Sequence, residues 1–265
     1  MSARRNLRFI WLLVKMKLMR TMAFRLNFFG AFFADGTLFV VQLITFAVIY
    51  GQVDSIGGWN RAQMLIFIGT FSMLNGISMM ICFFGLVGVP YKIREGALDL
   101  YITKPGNTLL RLTFEEVNLG CAPLLLLSGG IVAWGASTLE IRVDAALLVA
   151  YSCMTLLMAL LYYDMEVIIR TIPFFVISAT AIDRLEGDAL MLNFKVPGIV
   201  YKGFFKIFFY FVMPYGIMAT VPTQMLSGVL TAGGLAQALC VVAAFTAFAL
   251  WFWRFGLRRY KSASS

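Results

Sequence analysis

The chain has 265 residues, 61% of them apolar and only 13% charged, and its mean hydropathy is strongly positive. A soluble domain averages about 45–50% apolar and about 25% charged, so this chain cannot build a water-facing surface and lipid must be its solvent. The absence of histidine excludes Ser-His-Asp catalysis, histidine metal sites and imidazole proton relays. Cys82, Cys121, Cys153 and Cys240 stand singly with no C-x-x-C spacing, which reads as small apolar filler rather than a metal or redox site.

The net charge of +9 is concentrated at the two ends. Seven basic residues and no acidic one lie between Arg4 and Arg25, and Arg254, Arg258, Arg259 and Lys261 cluster near the last residue. Basic ends flanking apolar spans are what the positive-inside rule produces, with added attraction from anionic lipid heads. They do not read as a nucleic-acid footprint.

In chain order, residues 1–25 are too charged to span a bilayer. Arg4, Arg8, Trp11 and Lys15 form one helical stripe, with Ile10, Leu13, Val14 and Leu18 elsewhere around the helix. That pattern predicts a basic helix lying at the interface with snorkelling side chains. Phe9–Val14 is too short for a signal-peptide core, and no small-residue cleavage site follows it.

Membrane spans are predicted at 26–50, 62–89, 112–135, 145–165, 203–221 and 235–255. Residues 90–111 form a basic, hence cytoplasmic, loop. Six crossings leave both termini on that side. Between residues 161 and 197 the acids and bases from Asp164 to Lys195 interrupt the hydropathy. A charge at the centre of a lipid-facing helix costs about 2.5–3.5 kcal/mol to insert, so Asp183–Asp188 is expected to be cytoplasmic or interfacial. A second reading keeps the same parity. In it, 174–196 crosses as a polar helix facing a pore, and 204–230, broken by Pro214 and Pro222, dips in and out from the far side.

No phosphate-binding loop is present. Gly85-Leu-Val-Gly88-Val-Pro-Tyr-Lys92 has the wrong spacing and lacks a Ser or Thr after the lysine, so ATP hydrolysis is not expected on this chain. Asp35 is a carboxylate about a third of the way into the first span, and is expected to be paired, neutral or facing water. Glu115 and Glu116 follow Arg111 by one turn, a spacing that predicts a local ion pair. Asp164 and Glu166 lie near Arg170, with Glu166 and Arg170 at i, i+4, and read as helix-end anchors. None of these acids has calcium or magnesium spacing, and no metal or catalytic set emerges. Taken without a resemblance, a stand-alone channel or an ion-coupled carrier using Asp35 and the fourth-helix acids remains an alternative.

The loop reads VPYKIREGALDLYITKPGNTLLRL from Val89. A short helix there would group Ile93, Ala97, Leu100 and Tyr101 on one face, with Arg94, Glu95 and Asp99 elsewhere, and Pro105-Gly106-Asn107 would end it as a turn. Such a helix suits docking into a groove on a partner.

This stretch, Arg94-Glu95-Gly96-Ala97-Leu98-Asp99-Leu100-Tyr101 followed by Lys104-Pro105, resembles the cytoplasmic segment of type-2 ATP-binding-cassette permeases. The nearest branch has about 260 residues and reads approximately R-x-G-x-L-D-x-x-L-x-x-P; Ile102 replaces the Leu common there. The prolines of Val212-Met213-Pro214-Tyr215-Gly216 and Ala219-Thr220-Val221-Pro222, and the ending Phe255-Gly256-Leu257-Arg258-Arg259-Tyr260-Lys261-Ser262, are similar to that branch as well.

The resemblance implies an all-α integral membrane protein with six transmembrane helices, an N-terminal elbow helix and a cytoplasmic coupling helix. It implies a permease subunit of an exporter in a prokaryotic plasma membrane, with Arg94, Glu95, Gly96, Leu98, Asp99, Leu100 and Tyr101 meeting a separate ATPase subunit. That partner would be present in two copies and carry ATP and magnesium, beside a second permease, identical or related. No cofactor is expected on this chain itself, and no nucleic-acid partner.

Overall fold

The computed structural model describes residues 10–17, 19, 25–104, 106–139, 142–176 and 180–260. Among these, ordered structure is helical throughout, without a strand, and Ile56 and Trp59 form one isolated bridge. The helices are α1 (10–17), α2 (Arg25–Ile49), α3 (Arg61–Arg94), α4 (Asp99–Ile102), α5 (Thr108–Glu115), α6 (Leu119–Ser137), α7 (Ala145–Phe174), α8 (Thr180–Lys195), α9 (Gly203–Val212), α10 (Tyr215–Leu226) and α11 (Ala232–Arg259). Helices α3, α6, α7 and α11 are each long and apolar enough to cross a membrane. Helices α9 and α10 meet that test only as a pair, bent by 81° at the Met213-Pro214 break. In α2 the apolar stretch is Phe39–Ile49. The chain is an all-α membrane protein.

Polar caps start the long helices. Asn60 and Gln63 make a reciprocal capping box at 3.0 Å for α3, Asp144 accepts from the Leu147 amide at 2.8 Å for α7, and Thr231 caps α11 through the Gly234 amide. Each side chain satisfies an amide that hydrocarbon would leave unpaired.

Lipid tails are as apolar as leucine, so close packing and not hydrophobic exclusion must join the helices. Small residues seven apart do this between α3 and α6. A Cβ on Gly69 would lie 2.9 Å from the Ser128 carbonyl oxygen and 2.7 Å from a Val132 methyl, and one on Gly135 would lie 3.0 Å from the Ala62 carbonyl. Helix α3 also meets α7, where the buried Thr70 and Tyr151 hydroxyls hydrogen-bond at 2.8 Å. Phe39, Phe67, Phe71, Met158, Leu161, Tyr215 and Met218 fill the core between them. Leu126, Val149, Leu156 and Phe204 lie exposed on the outside, where acyl chains would cover them.

The segment 112–135 is not one helix. α5 ends at Glu115, the chain opens over 116–118, and Asn118 caps the restart by accepting from Gly120 at 3.1 Å. The Asn118 amide donates at 2.8 Å to the carbonyl of Met80, which sits in a π-helical turn of α3, Met79–Phe83. Each irregularity supplies the other's missing partner.

Helix α8 runs from one end of the bundle towards the other. Near its start Asp183 pairs with Arg170 of α7. Near its end the Phe194 carbonyl accepts from Gln42 at 2.5 Å and its ring lies 5.0 Å from Phe71. Ile199 and Val200 then close on Gly57, in the loop between α2 and α3. The α9–α10 pair starts beside that loop and returns towards it. The Gly198 amide donates to Thr220 at 2.9 Å, and Leu226 is buried with Ile66, Val132 and Tyr151.

The α3–α6 contact leaves no room for side-chain growth. Replacing Gly69 or Gly135 by leucine is expected to destabilise the bundle by about 1–3 kcal/mol through overpacking. Gly130→Leu, which points into open space, should leave the melting temperature of the purified protein within experimental error of wild type.

Candidate functional site

Two sets of residues concentrate polar chemistry: the loop between α3 and α5, and a charged cluster inside the bundle. In the loop, the single short helix expected from the sequence is divided in two. Gly96 adopts φ +70°, a left-handed conformation that glycine takes without strain and that ends α3. Helix α4 follows at Asp99. The break swings Leu98 inwards, and its amide donates to the Lys92 carbonyl at 3.1 Å.

Leu98 is fully buried with Leu86, Val89, Leu109, Leu112, Val167 and Trp253, with Ile93 and Tyr101 packed alongside. Leu100 does not join that apolar face but is 63% exposed. Arg94 and Glu95 are exposed beside it, and Gly96 and Asp99 are half-buried. Of the seven residues singled out by sequence, Leu98 and Tyr101 form an anchor, Arg94, Glu95 and Leu100 an outward surface, and Gly96 and Asp99 lie between the two.

Tyr101 ties the loop to the next helix. Its hydroxyl donates to Glu115 Oε1 at 2.9 Å, while the Lys92 ammonium and Arg111 guanidinium lie over its ring, 5.0 and 4.9 Å from the centroid. Burial, reinforced by the Glu115 hydrogen bond, pushes its phenol up to about 12, so Tyr101 remains a neutral donor. Arg111 therefore stacks on an aromatic ring instead of forming the expected pair with Glu115 or Glu116. The partner of Glu116 is Lys17 of α1.

Inside the bundle, Arg170 is shared by three carboxylates. It lies 3.3 Å from Glu166 one turn earlier on α7, and 2.5 and 3.0 Å from Asp183 and Glu186 on α8. Glu186 also accepts from the Tyr215 hydroxyl at 3.3 Å, at the tip of the α9–α10 bend. Glu166, Arg170 and Glu186 are all buried. Asp164 is buried on another face of α7 and accepts from Thr246 of α11 at 2.5 Å. Neither Asp164 nor Glu166 is a helix-end anchor, because α7 continues past both. Asp35 falls within α2, but its side chain lies outside the described residues.

Asp183, Glu186 and Tyr215 were not singled out from sequence as site residues. For Glu186 the signal was the stripe Glu186, Ala189, Asn193, which is the buried face of α8; Asp183 and Tyr215 had none. Among the described residues no group of three acids or cysteines is arranged to hold a metal ion, and the only cation at the cluster is the arginine.

Residues 37–264 match the family described as "ABC-2 family transporter protein". The chain belongs to the ABC-2 transporter family. It is a transport permease, a membrane subunit. No curated protein and no solved structure gives a significant match.

Removing one partner of a buried ionic cluster leaves uncompensated charge, at about 3–5 kcal/mol. Arg170→Met is therefore expected to lower the thermal stability of the ABC-2 permease steeply. Asp183→Asn should lower it by no more than about 1 kcal/mol, since the Asp183 side chain is 44% exposed. Equal losses in melting curves of the two variants would contradict this ranking.

Proposed function

We propose that this chain is the membrane-spanning permease of an ATP-driven exporter, forming the substrate pathway and driven through its α3–α5 loop by a separate ATPase subunit. Two ATPase copies carry ATP and magnesium. A second permease, identical or related, completes the pathway in the plasma membrane of a prokaryote. Arg94, Glu95 and Leu100 form the surface that enters the ATPase, with Gly96 and Asp99 shaping it, and Leu98 and Tyr101 transmit its displacement into the bundle. The observation that carries this reading is the division of one short loop into a buried anchor and an exposed tip bearing both an apolar and charged groups. A solvated connector would need no fully buried leucine between two exposed faces.

In this reading α2, α3, α6, α7, α8 and α11 cross the membrane, and the α9–α10 pair is re-entrant from the side opposite the loop. Helix α8 replaces residues 203–221 as the fifth crossing. Its 16 residues span roughly 24 Å at 1.5 Å per residue, and residues 196–200 supply the remainder. Two of its charges, Asp183 and Glu186, are offset by Arg170, while Arg184, Asp188 and Lys195 are exposed. Both termini then lie in the cytoplasm, together with the basic residues that flank them.

The test uses the permease purified with its ATPase. Glu95→Lys combined with Leu100→Asp is expected to leave the melting temperature of the permease unchanged, yet to weaken ATPase association at least about tenfold, the scale of a lost interface anchor. ATP-driven transport in sealed vesicles should fall with it. Unaltered association and transport in that double variant, or full transport by the permease alone without nucleotide, would refute the proposal.

A further inference from the structure

The outer face of α11 carries a feature that neither the loop nor the charged cluster accounts for. Ala247, Leu250, Trp251, Arg254, Phe255 and Arg258 line an open groove of about 370 Å³. These positions recur every one or three residues along one face of α11, and all are exposed except Phe255, which also stacks on Phe175 at 5.4 Å. The opposite stripe, Ala249, Trp253 and Gly256, is buried, with Gly256 and Trp253 packed on Phe174.

The groove is divided lengthwise. Ala247, Leu250 and Trp251 make an apolar wall, with the Trp251 ring stacked at 5.6 Å and 3° on Phe255. Arg254 and Arg258 stand at i, i+4 in the last turns, both exposed, and among the described residues no carboxylate pairs with either. α11 contains no acidic residue. Like charges at i, i+4 disfavour a helix unless something neutralises them. The neighbouring Arg259 is engaged differently, over the Phe255 ring at 5.4 Å.

The geometry points to a binding site for one anionic phospholipid, its phosphate bridging Arg254 and Arg258 and an acyl chain lying along Trp251, Leu250 and Ala247. The ligand must be amphiphilic because the site is: two adjacent guanidiniums suited to phosphate oxygens lead directly into an apolar wall. A bare anion would leave the wall empty, and a neutral lipid would leave the arginines without a counter-charge. A second copy of this chain fits poorly, since a two-fold interface through this face would set one arginine pair against its symmetry mate.

The test measures melting temperature of the full-length chain in neutral detergent, with phosphatidylglycerol or phosphatidylcholine added. Phosphatidylglycerol is expected to raise the wild-type midpoint by about 3–5 °C relative to phosphatidylcholine, as a ligand that binds only the folded state does. Arg254→Gln with Arg258→Gln should abolish that difference, and native mass spectrometry should show the retained lipid lost. The doubly lysine-substituted chain should keep part of the shift, since it keeps the charge. An unchanged phosphatidylglycerol shift in the glutamine variant would overturn the site. So would an equal shift from glycerol phosphate, which would make it a simple anion site. Disulfide capture of a second copy through Trp251→Cys, in a chain with Cys153 and Cys240 replaced by serine, would assign the face to a permease contact and also overturn the lipid.

Discussion

A guanidinium cannot be removed from water without compensating charge, and in this protein that requirement falls at the junction of three elements. Arg170 sits in α7, two of its carboxylate partners come from α8, and Tyr215 reaches the same cluster from the tip of the α9–α10 bend. In low dielectric the attraction is strong but its geometry is unforgiving, because displacing Arg170 leaves the buried Glu166 and Glu186 with neither water nor a counter-ion. The cluster therefore sets the position of α8, which is too polar to be held by lipid, and of the bend, whose two helices are too short to span independently. Apolar packing elsewhere is permissive by comparison. Phe, Met and Leu can slide past one another with small losses, whereas the bonds to Arg170 specify which part of α8 faces α7.

A second constraint is that no backbone amide can go unpaired at membrane depth. The chain meets it where it departs from regular helix by setting two irregularities side by side. The π turn at Met79–Phe83 exposes a carbonyl, and the opened 116–118 segment exposes the amide that fills it. Two interruptions that would each destabilise an isolated span become one structural joint between α3 and the α5–α6 boundary.

These constraints explain what was legible in the sequence. Hydropathy finds α3, α7 and α11 because each has a long stretch free of charge, residues 145–163 in the case of α7. For α8 a window average counts Asp183, Glu186 and Asp188 as three insertion penalties and cannot see that Arg170, on another helix, pairs with two of them. Residues 112–135 read as one span because Val117 and Asn118 barely disturb the average, although Asn118 is a good cap. The close α3–α6 contact was also within reach: its small residues recur at seven, Gly69 with Gly76 and Ser128 with Gly135, while a search for glycines four apart passes over them. In the loop, residue types and order were informative, but the direction of Leu98 and Leu100 was not. One left-handed glycine at position 96 exchanges the face that a continuous helix would have assigned to them.

The joint at the end of α5 also receives the peripheral elements. Glu115 accepts from Tyr101, which belongs to the loop, and the adjacent Glu116 pairs with Lys17 of α1. Neighbouring residues at a helix end project in different directions, so two elements far apart in sequence bear on the same break. A push on the loop tip is resisted at Leu98 by packing and at Tyr101 by a hydrogen bond and two cations over the ring. It can then be relieved where α5 gives way to α6, because residues 116–118 have no helical ladder to break. A rigid helix through 112–135 would pass such a load along its axis to the far end of the bundle. Under the proposed coupling, an interrupted one would convert it into rotation of α5 relative to α6, about an amide anchored on Met80 of α3. In the proposed coupling role, the opening in the third hydrophobic segment is where a force applied at the loop would reach the packing of the helices beside it.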